Sequence, residues 1–192
     1  VNLCQSSNDV IPTAMHISAH SLVANELMPS LKILKRELSK KAMAFNKIFK
    51  IGRTHLQDAT PITLGQEFSG FSEMVENSIV FIGSANMHLR SLAQGGTAVG
   101  TGINSHPKFG SLIAKEISRK VGLKFNEARN HFESQSSKDA LVYLSSTLKT
   151  AATSLMKIGN DIRWLGSGPR CGFGEIILPS IQPGSSIMPG KV

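Results

Sequence analysis

The chain has 192 residues, 41% of them hydrophobic and 18% charged, which suits one sizeable folded core and argues against disorder. A net charge of +8 raises nucleic acid as a partner, but the basic residues of 32–50 alternate with Leu, Ile and Ala at helical spacing and carry no nucleic-acid-binding motif, so they read as a solvated helix face. No apolar run reaches the roughly 18 residues of a membrane span, and Cys4 and Cys171 have neither CxxC nor other ligand spacing, which fits a reducing compartment better than a disulfide framework or a zinc site.

Aromatic content is only 6%, and Leu, Ile, Ala, Met, Ser and Lys recur in long stretches with few breakers, so the fold class is read as all-α. In chain order, Asn8 or Asp9 is expected to cap a first helix, with Pro12 in its first turn. Pro29 then breaks or kinks this helix before Leu31, Leu34, Leu38 and Phe45 resume the apolar stripe, giving a helix pair or one kinked helix. Only the region around 49–54 reads as extended, and 52–61 reads as a loop.

A long helix follows over 64–92, with Thr63 as N-cap and with Leu64, Phe68, Phe71, Val75, Ile82, Ala85, Leu89 and Leu92 on one stripe that only Ser78 interrupts. After a glycine-rich loop over 95–107, a shorter helix fits Phe109–Val121, with Gly122 as its stop. The clearest periodicity is the last: Leu141, Leu144, Leu148, Ala151, Leu155, Ile158, Ile162 and Leu165 keep an unbroken 3-4 alternation. A helix over 137–165 would run about 43 Å, which calls for neighbours of similar length. The remainder, 166–192, reads as loop, and no repeat of about 20–50 residues is present.

Three segments carry unusual chemistry. Gln5-Ser6-Ser7-Asn8-Asp9 places hydroxyls and an amide at a helix start, where exposed N–H groups and the helix dipole favour an anion; capping alone also accounts for these residue types. Gly52-Arg53-Thr54-His55-Leu56-Gln57-Asp58 presents His55 outside any apolar stripe, which makes it the acid/base candidate among six histidines. Pro183-Gly184-Ser185-Ser186-Ile187-Met188-Pro189-Gly190-Lys191 joins flexible glycines, two hydroxyls and a cation, a set able to fold over a small anion. His16 and His20 have the i, i+4 spacing of a helical metal pair, but no third ligand is in reach, and no metal site is read there.

Together the three segments resemble the signature regions of the fumarase/aspartase superfamily, in the family's order. The stretches VNLCQSSNDVIPTAMHI, IGRTHLQDATPITLGQEFSG, LAQGGTAVGTGIN, SLMKIGNDIRWLGSGPR and PGSSIMPGKV look like class II fumarate hydratase. Aspartases are similar but typically carry Ser-Thr-Asn in place of Ser6-Ser7-Asn8, Gln in place of His55 and Ala in place of Gly190. Argininosuccinate and adenylosuccinate lyases resemble the chain less.

The resemblance implies the L-aspartase-like fold, with 1–192 as a partial central long-helix bundle truncated at both ends, closing in the signature loop 183–192 and lacking the N-terminal and C-terminal domains. It implies reversible hydration of fumarate to L-malate, as in the tricarboxylic acid cycle, with Ser185 as base and His55 as acid or proton relay. Ser6, Ser7 and Asn8 would hold one carboxylate, and Thr54, beside His55, would donate a hydrogen bond to substrate. Ser186 and Lys191 would hold the other end, with Val192 contributing its backbone. The implied partners are a small dicarboxylate and three further copies of the chain in a homotetramer with shared active sites, with no metal, redox cofactor, nucleic acid or membrane. The implied compartment is the bacterial cytoplasm or the mitochondrial matrix. Aspartate ammonia-lyase or another superfamily lyase is the alternative, and a non-catalytic helical assembly domain is the alternative outside enzymes. The family's Asn after Lys191-Val192 and its upstream substrate loop are missing from the sequence, so this chain is expected to be inactive alone.

Overall fold

Ser6, not Asn8 or Asp9, caps the first helix in the computed structural model, which describes residues 3–187 and 190–191. Its Oγ accepts the Asn8 N–H at 3.2 Å, and Asp9, three residues on, accepts the Ser6 N–H at 2.9 Å, the reciprocal arrangement of a capping box. Helix α1 runs Ser7–Leu22, which puts Pro12 beyond the first turn, in the helix interior. A π-helical turn, Val23–Leu27, carries the chain directly into α2, Met28–Ala44. Pro29 thus produces one interrupted helix: the wider turn just before it absorbs the missing N–H and the bulk of its ring.

The expected loop over 52–61 is instead a β-hairpin. Strand β1, Phe49–Thr54, pairs antiparallel with β2, Gln57–Thr63, with an irregularity between Ile51 and Arg53. The two residues at the tip, His55 and Leu56, have φ of 52° and 63°, the left-handed pair that a two-residue type I′ turn requires. Thr63 caps α3, Leu64–His88, accepting the Gln66 N–H at 3.1 Å while Gln66 returns a bond to the Thr63 N–H.

Helices α2 and α3 lie antiparallel. Lys35 pairs with Glu76 at 3.1 Å, the hydroxyls of Ser39 and Ser72 meet at 2.7 Å, and Phe45 packs edge-on to Phe68 at 5.2 Å. Buried Leu31 and Leu38 face a stripe of Phe68, Phe71, Val75 and Ile82, the period-3.6 face expected of a core helix. Gly65 sits where α3 starts against the end of α2, and a Cβ there would lie 2.4 Å from the Ala42 carbonyl oxygen.

Helix α3 ends at His88, four residues short of the expected stripe, yet Leu89 and Leu92 stay fully buried. Leu92 belongs to a short strand, β3 (Ser91–Leu92), which pairs in parallel with β4 (Asn126–Glu127). Between them run the glycine-rich loop and α4, Phe109–Val121, closed by Gly122 at φ 74°. Leu92, Ala114 and Phe125 form a second small core. A short helix not read from the sequence, α5 (His131–Ser136), is capped by Asn130.

Helix α6 is Asp139–Leu165, beginning two residues after the expected start. Leu144, Ala151, Ile158 and Leu165 of its stripe are buried, while Leu148 and Leu155 stay more than a third exposed. The chain divides into two compact units, Val1–Ala151 and Ala152–Val192. In the second unit the chain turns back after α6, with the Glu175 N–H on the Leu165 carbonyl at 2.9 Å and Trp164 against Phe173. A strand pair, β5 (Gln182–Pro183) with β6 (Gly190–Lys191), brackets the last signature loop.

Candidate active site

The N-terminus of α1 opens into a groove of about 650 Å³, lined among others by Ser7, Asn8, Gln135 and Lys138. Ser7 and Asn8 are exposed and Ser6 is half-buried. The Asn8 Nδ2 donates to the Ala98 carbonyl at 2.7 Å, which fixes the amide plane and leaves its second N–H free to act. The Lys138 ammonium donates to the carbonyls of Gln135 and Ser137 at 2.9 and 3.0 Å. Among the described residues it has no carboxylate partner, so its charge is held in place without being neutralised. Beside the apolar Ile11, Val99 and Phe132 that also line it, the groove offers a hydroxyl, an amide, an ammonium and a helix N-terminus, a donor set that suits a carboxylate.

Sequence reasoning passed over Lys138. The signal was its position immediately ahead of α6, where a cation opposes that helix's dipole; its bonds to the carbonyls at the end of α5 form only in the folded chain.

A polar stripe runs down α1 beneath this groove. Asp9, Thr13, His16 and His20 recur at 4, 3 and 4 residues and are all buried. Asp9 Oδ2 accepts from Gln94 Nε2 and the Gly95 N–H, both at 3.2 Å, and from the Thr97 N–H at 2.9 Å. His16 Nδ1–H donates to the Ser91 carbonyl at 2.7 Å, and His20 Nδ1–H donates to Asn86 Oδ1 at 2.9 Å. The stripe zips α1 onto 86–97 in antiparallel order, so the i, i+4 histidines are hydrogen-bonded core residues. Burial pushes the His16 pKa below its ordinary value, against the opposing pull of the Ser91 carbonyl.

Thr54 and His55 stand at the hairpin tip, both exposed, and neither side chain makes a hydrogen bond among the described residues. A histidine held at positive φ on an exposed turn is strained relative to Gly or Asn, and strain of this kind collects at functional positions. In the second unit, Ser185 and Ser186 are exposed in the turn between β5 and β6, and Lys191 is exposed in β6. Gly190 approaches Ser180 so closely that a Cβ would lie 2.8 Å from the serine Cβ. Val192 lies outside the described residues.

One further polar pair escaped the sequence reading. His131 Nδ1–H donates to the Ala93 carbonyl at 2.9 Å, and its Nε2 meets Glu127 Oε1 at 3.1 Å, beside a cavity of about 280 Å³ lined by Thr101, Ser105 and His106. Among the described residues no group of three or more His, Cys, Asp or Glu is placed to hold a metal, and no helix is long and apolar enough to cross a membrane.

A helical architecture carrying these segments matches a known family model, described as Lyase, over residues 1–192. The chain belongs to this lyase family. Over 192 residues it is 57% identical to the class II fumarate hydratase of Nitrosomonas europaea, covering all of this chain and 42% of that protein. It is likewise 57% identical over 191 residues to the mitochondrial fumarate hydratase of Saccharomyces cerevisiae, of which it covers 39%. Among solved structures, the recombinant class II fumarase of Schistosoma mansoni superposes with a TM-score of 0.95 at 41% identity, covering all of this chain and 43% of that one. The lyase chain thus spans about two fifths of the length of the relatives it matches.

Proposed function

We propose that this lyase chain is part of a class II fumarate hydratase, which adds water reversibly across fumarate to give L-malate. The observation that carries the reading is the 57% identity to a class II fumarate hydratase along all 192 residues, a stretch that includes the Ser6-Ser7-Asn8, Thr54-His55 and Ser185-to-Lys191 segments.

In the direction from malate, Ser185 as an alkoxide takes the C3 proton, and the electron pair flows into the neighbouring carboxylate as a dianionic aci-carboxylate. The C2–O bond then breaks, and His55, directly or through a bound water, delivers the proton that lets the hydroxyl leave as water. Hydration runs the same steps in reverse. Ser6, Ser7 and Asn8 hold one substrate carboxylate, and Thr54, beside His55, donates a hydrogen bond to substrate. Ser186, Lys191 and the backbone of Val192 hold the other, with Lys191 acting as a point charge that lowers the cost of ionising Ser185.

The same reading makes the chain the central bundle of a longer subunit, with domains on either side, four copies assembling into a homotetramer with shared active sites. Exposed Val142, Leu148, Leu155 and Met156 on α6 support that assembly, since apolar side chains in such number on one helix call for cover. The compartment proposed is the bacterial cytoplasm or the mitochondrial matrix.

The test is a substrate panel on the full-length protein, following fumarate by ultraviolet absorbance. Fumarate formation from malate is expected; inertness to malate with ammonia release from aspartate would place the protein with the ammonia-lyases.

A further inference from the structure

We infer that Asp9 is the positioning residue of the anion-holding segment, its buried carboxylate locking the cap of α1 to the glycine loop 94–97 so that Ser7 and Asn8 face a substrate carboxylate in one fixed geometry. The inference rests on the hydratase reading above and deepens it.

A capping box needs only the bond from Asp9 to the Ser6 N–H, and it leaves the acidic side chain on the helix surface. Asp9 is 0% exposed instead. Beyond the cap it takes three more N–H donors, from residues 85, 86 and 88 positions away in sequence. A carboxylate withdrawn from water persists only where donors fill its lone pairs, and here they do. Those donors turn their dipoles onto the carboxylate and so offset part of its field on the groove side, where an incoming anion would sit.

The loop gripped by Asp9 leads straight into Ala98, whose carbonyl accepts from Asn8 Nδ2 at 2.7 Å. Asp9 therefore sets the loop, the loop sets the Asn8 amide, and the cap sets Ser6 and Ser7. Gln135, which lines the same groove, holds the loop from its other side through the Thr97 carbonyl at 2.7 Å. Asp9 itself is not among the residues lining the groove, so it acts through its neighbours and not on substrate.

Asp9→Asn keeps size and shape but turns an acceptor into a donor facing other donors. In the full-length enzyme this variant is expected to raise KM for both fumarate and malate about tenfold while kcat changes less than about twofold, the pattern of weakened uniform binding. A purely structural role would instead lower the melting temperature and the amount of active enzyme without moving KM. If Asp9→Asn does not fold, Gln94→Leu, which removes one donor and leaves the carboxylate, is expected to raise KM about threefold. An active wild type with unchanged KM in the folded variants overturns the inference. A full-length wild type with no hydratase activity overturns the hydratase reading itself, and this inference falls with it.

Discussion

The Gln135 amide donates to the carbonyl of Thr97 at 2.7 Å, across 38 positions of sequence, while the N–H of the same threonine donates to Asp9 at 2.9 Å. The glycine loop is thus held between α1 and α5. Gln135→Ala leaves the Thr97 carbonyl without its donor and removes the side chain that Gly96 and Gly100 pack against. A loss of about 1–3 kcal/mol in stability is expected, read by denaturant unfolding.

Gly65 offers a sharper steric test. An added Cβ would lie 2.4 Å from the Ala42 carbonyl oxygen and 2.7 Å from the backbone of Asn46, and neither of these can rotate away. Gly65→Ala must push α3 off α2 or unwind its first turn. The expected cost is about 2–4 kcal/mol, seen as a lower midpoint in urea with little change in slope.

Neither of these two sites was read from the sequence, whereas the helical frame around them was. The stripes of α3 and α6, the Thr63 cap and the Gly122 stop follow from local periodicity and capping chemistry, and the structure has them nearly where they were expected. The hairpin was hidden because its tip, His55-Leu56, lacks the Asn-Gly chemistry that marks a type I′ turn, and because Pro61 sits inside β2. The buried polar stripe of α1 was hidden for a different reason. His16 and His20 find partners 75 and 66 residues away, so nothing local distinguishes them from solvent-facing or metal-binding histidines. The candidate site residues were picked out as motifs, whereas the groove that joins Ser7 and Asn8 to Lys138 depends on tertiary packing.

The depressed pKa of His16 gives a pH signature. Burial disfavours its charged form, so below the ordinary value of 6.5 the unfolded chain takes up a proton that the folded chain resists. Its contribution is intact above pH 6.5 and is lost as the pH falls from 6.5 toward the lowered folded value. His16→Asn keeps a donor near the Ser91 carbonyl and removes the titration. Its melting temperature is expected to vary less than that of the wild type between about pH 5 and 7.

The hairpin tip separates strain from chemistry. Leu56 is 82% exposed at φ 63°, so Leu56→Gly removes left-handed strain without losing a core contact. It is expected to stabilise the fold by about 0.5–1 kcal/mol in thermal unfolding. His55→Asn also tolerates positive φ, so it is expected to fold normally while kcat for fumarate hydration falls about a hundredfold or more. A normal rate in that variant would remove His55 from proton transfer.

The most direct measurement is the steady-state rate of malate dehydration by the full-length protein and its Ser185→Ala variant, followed by fumarate absorbance, with circular dichroism confirming that both are folded. An active wild type and a folded variant slower by about a thousandfold or more are expected. A folded Ser185→Ala variant that keeps wild-type turnover would contradict the assignment of Ser185 as base.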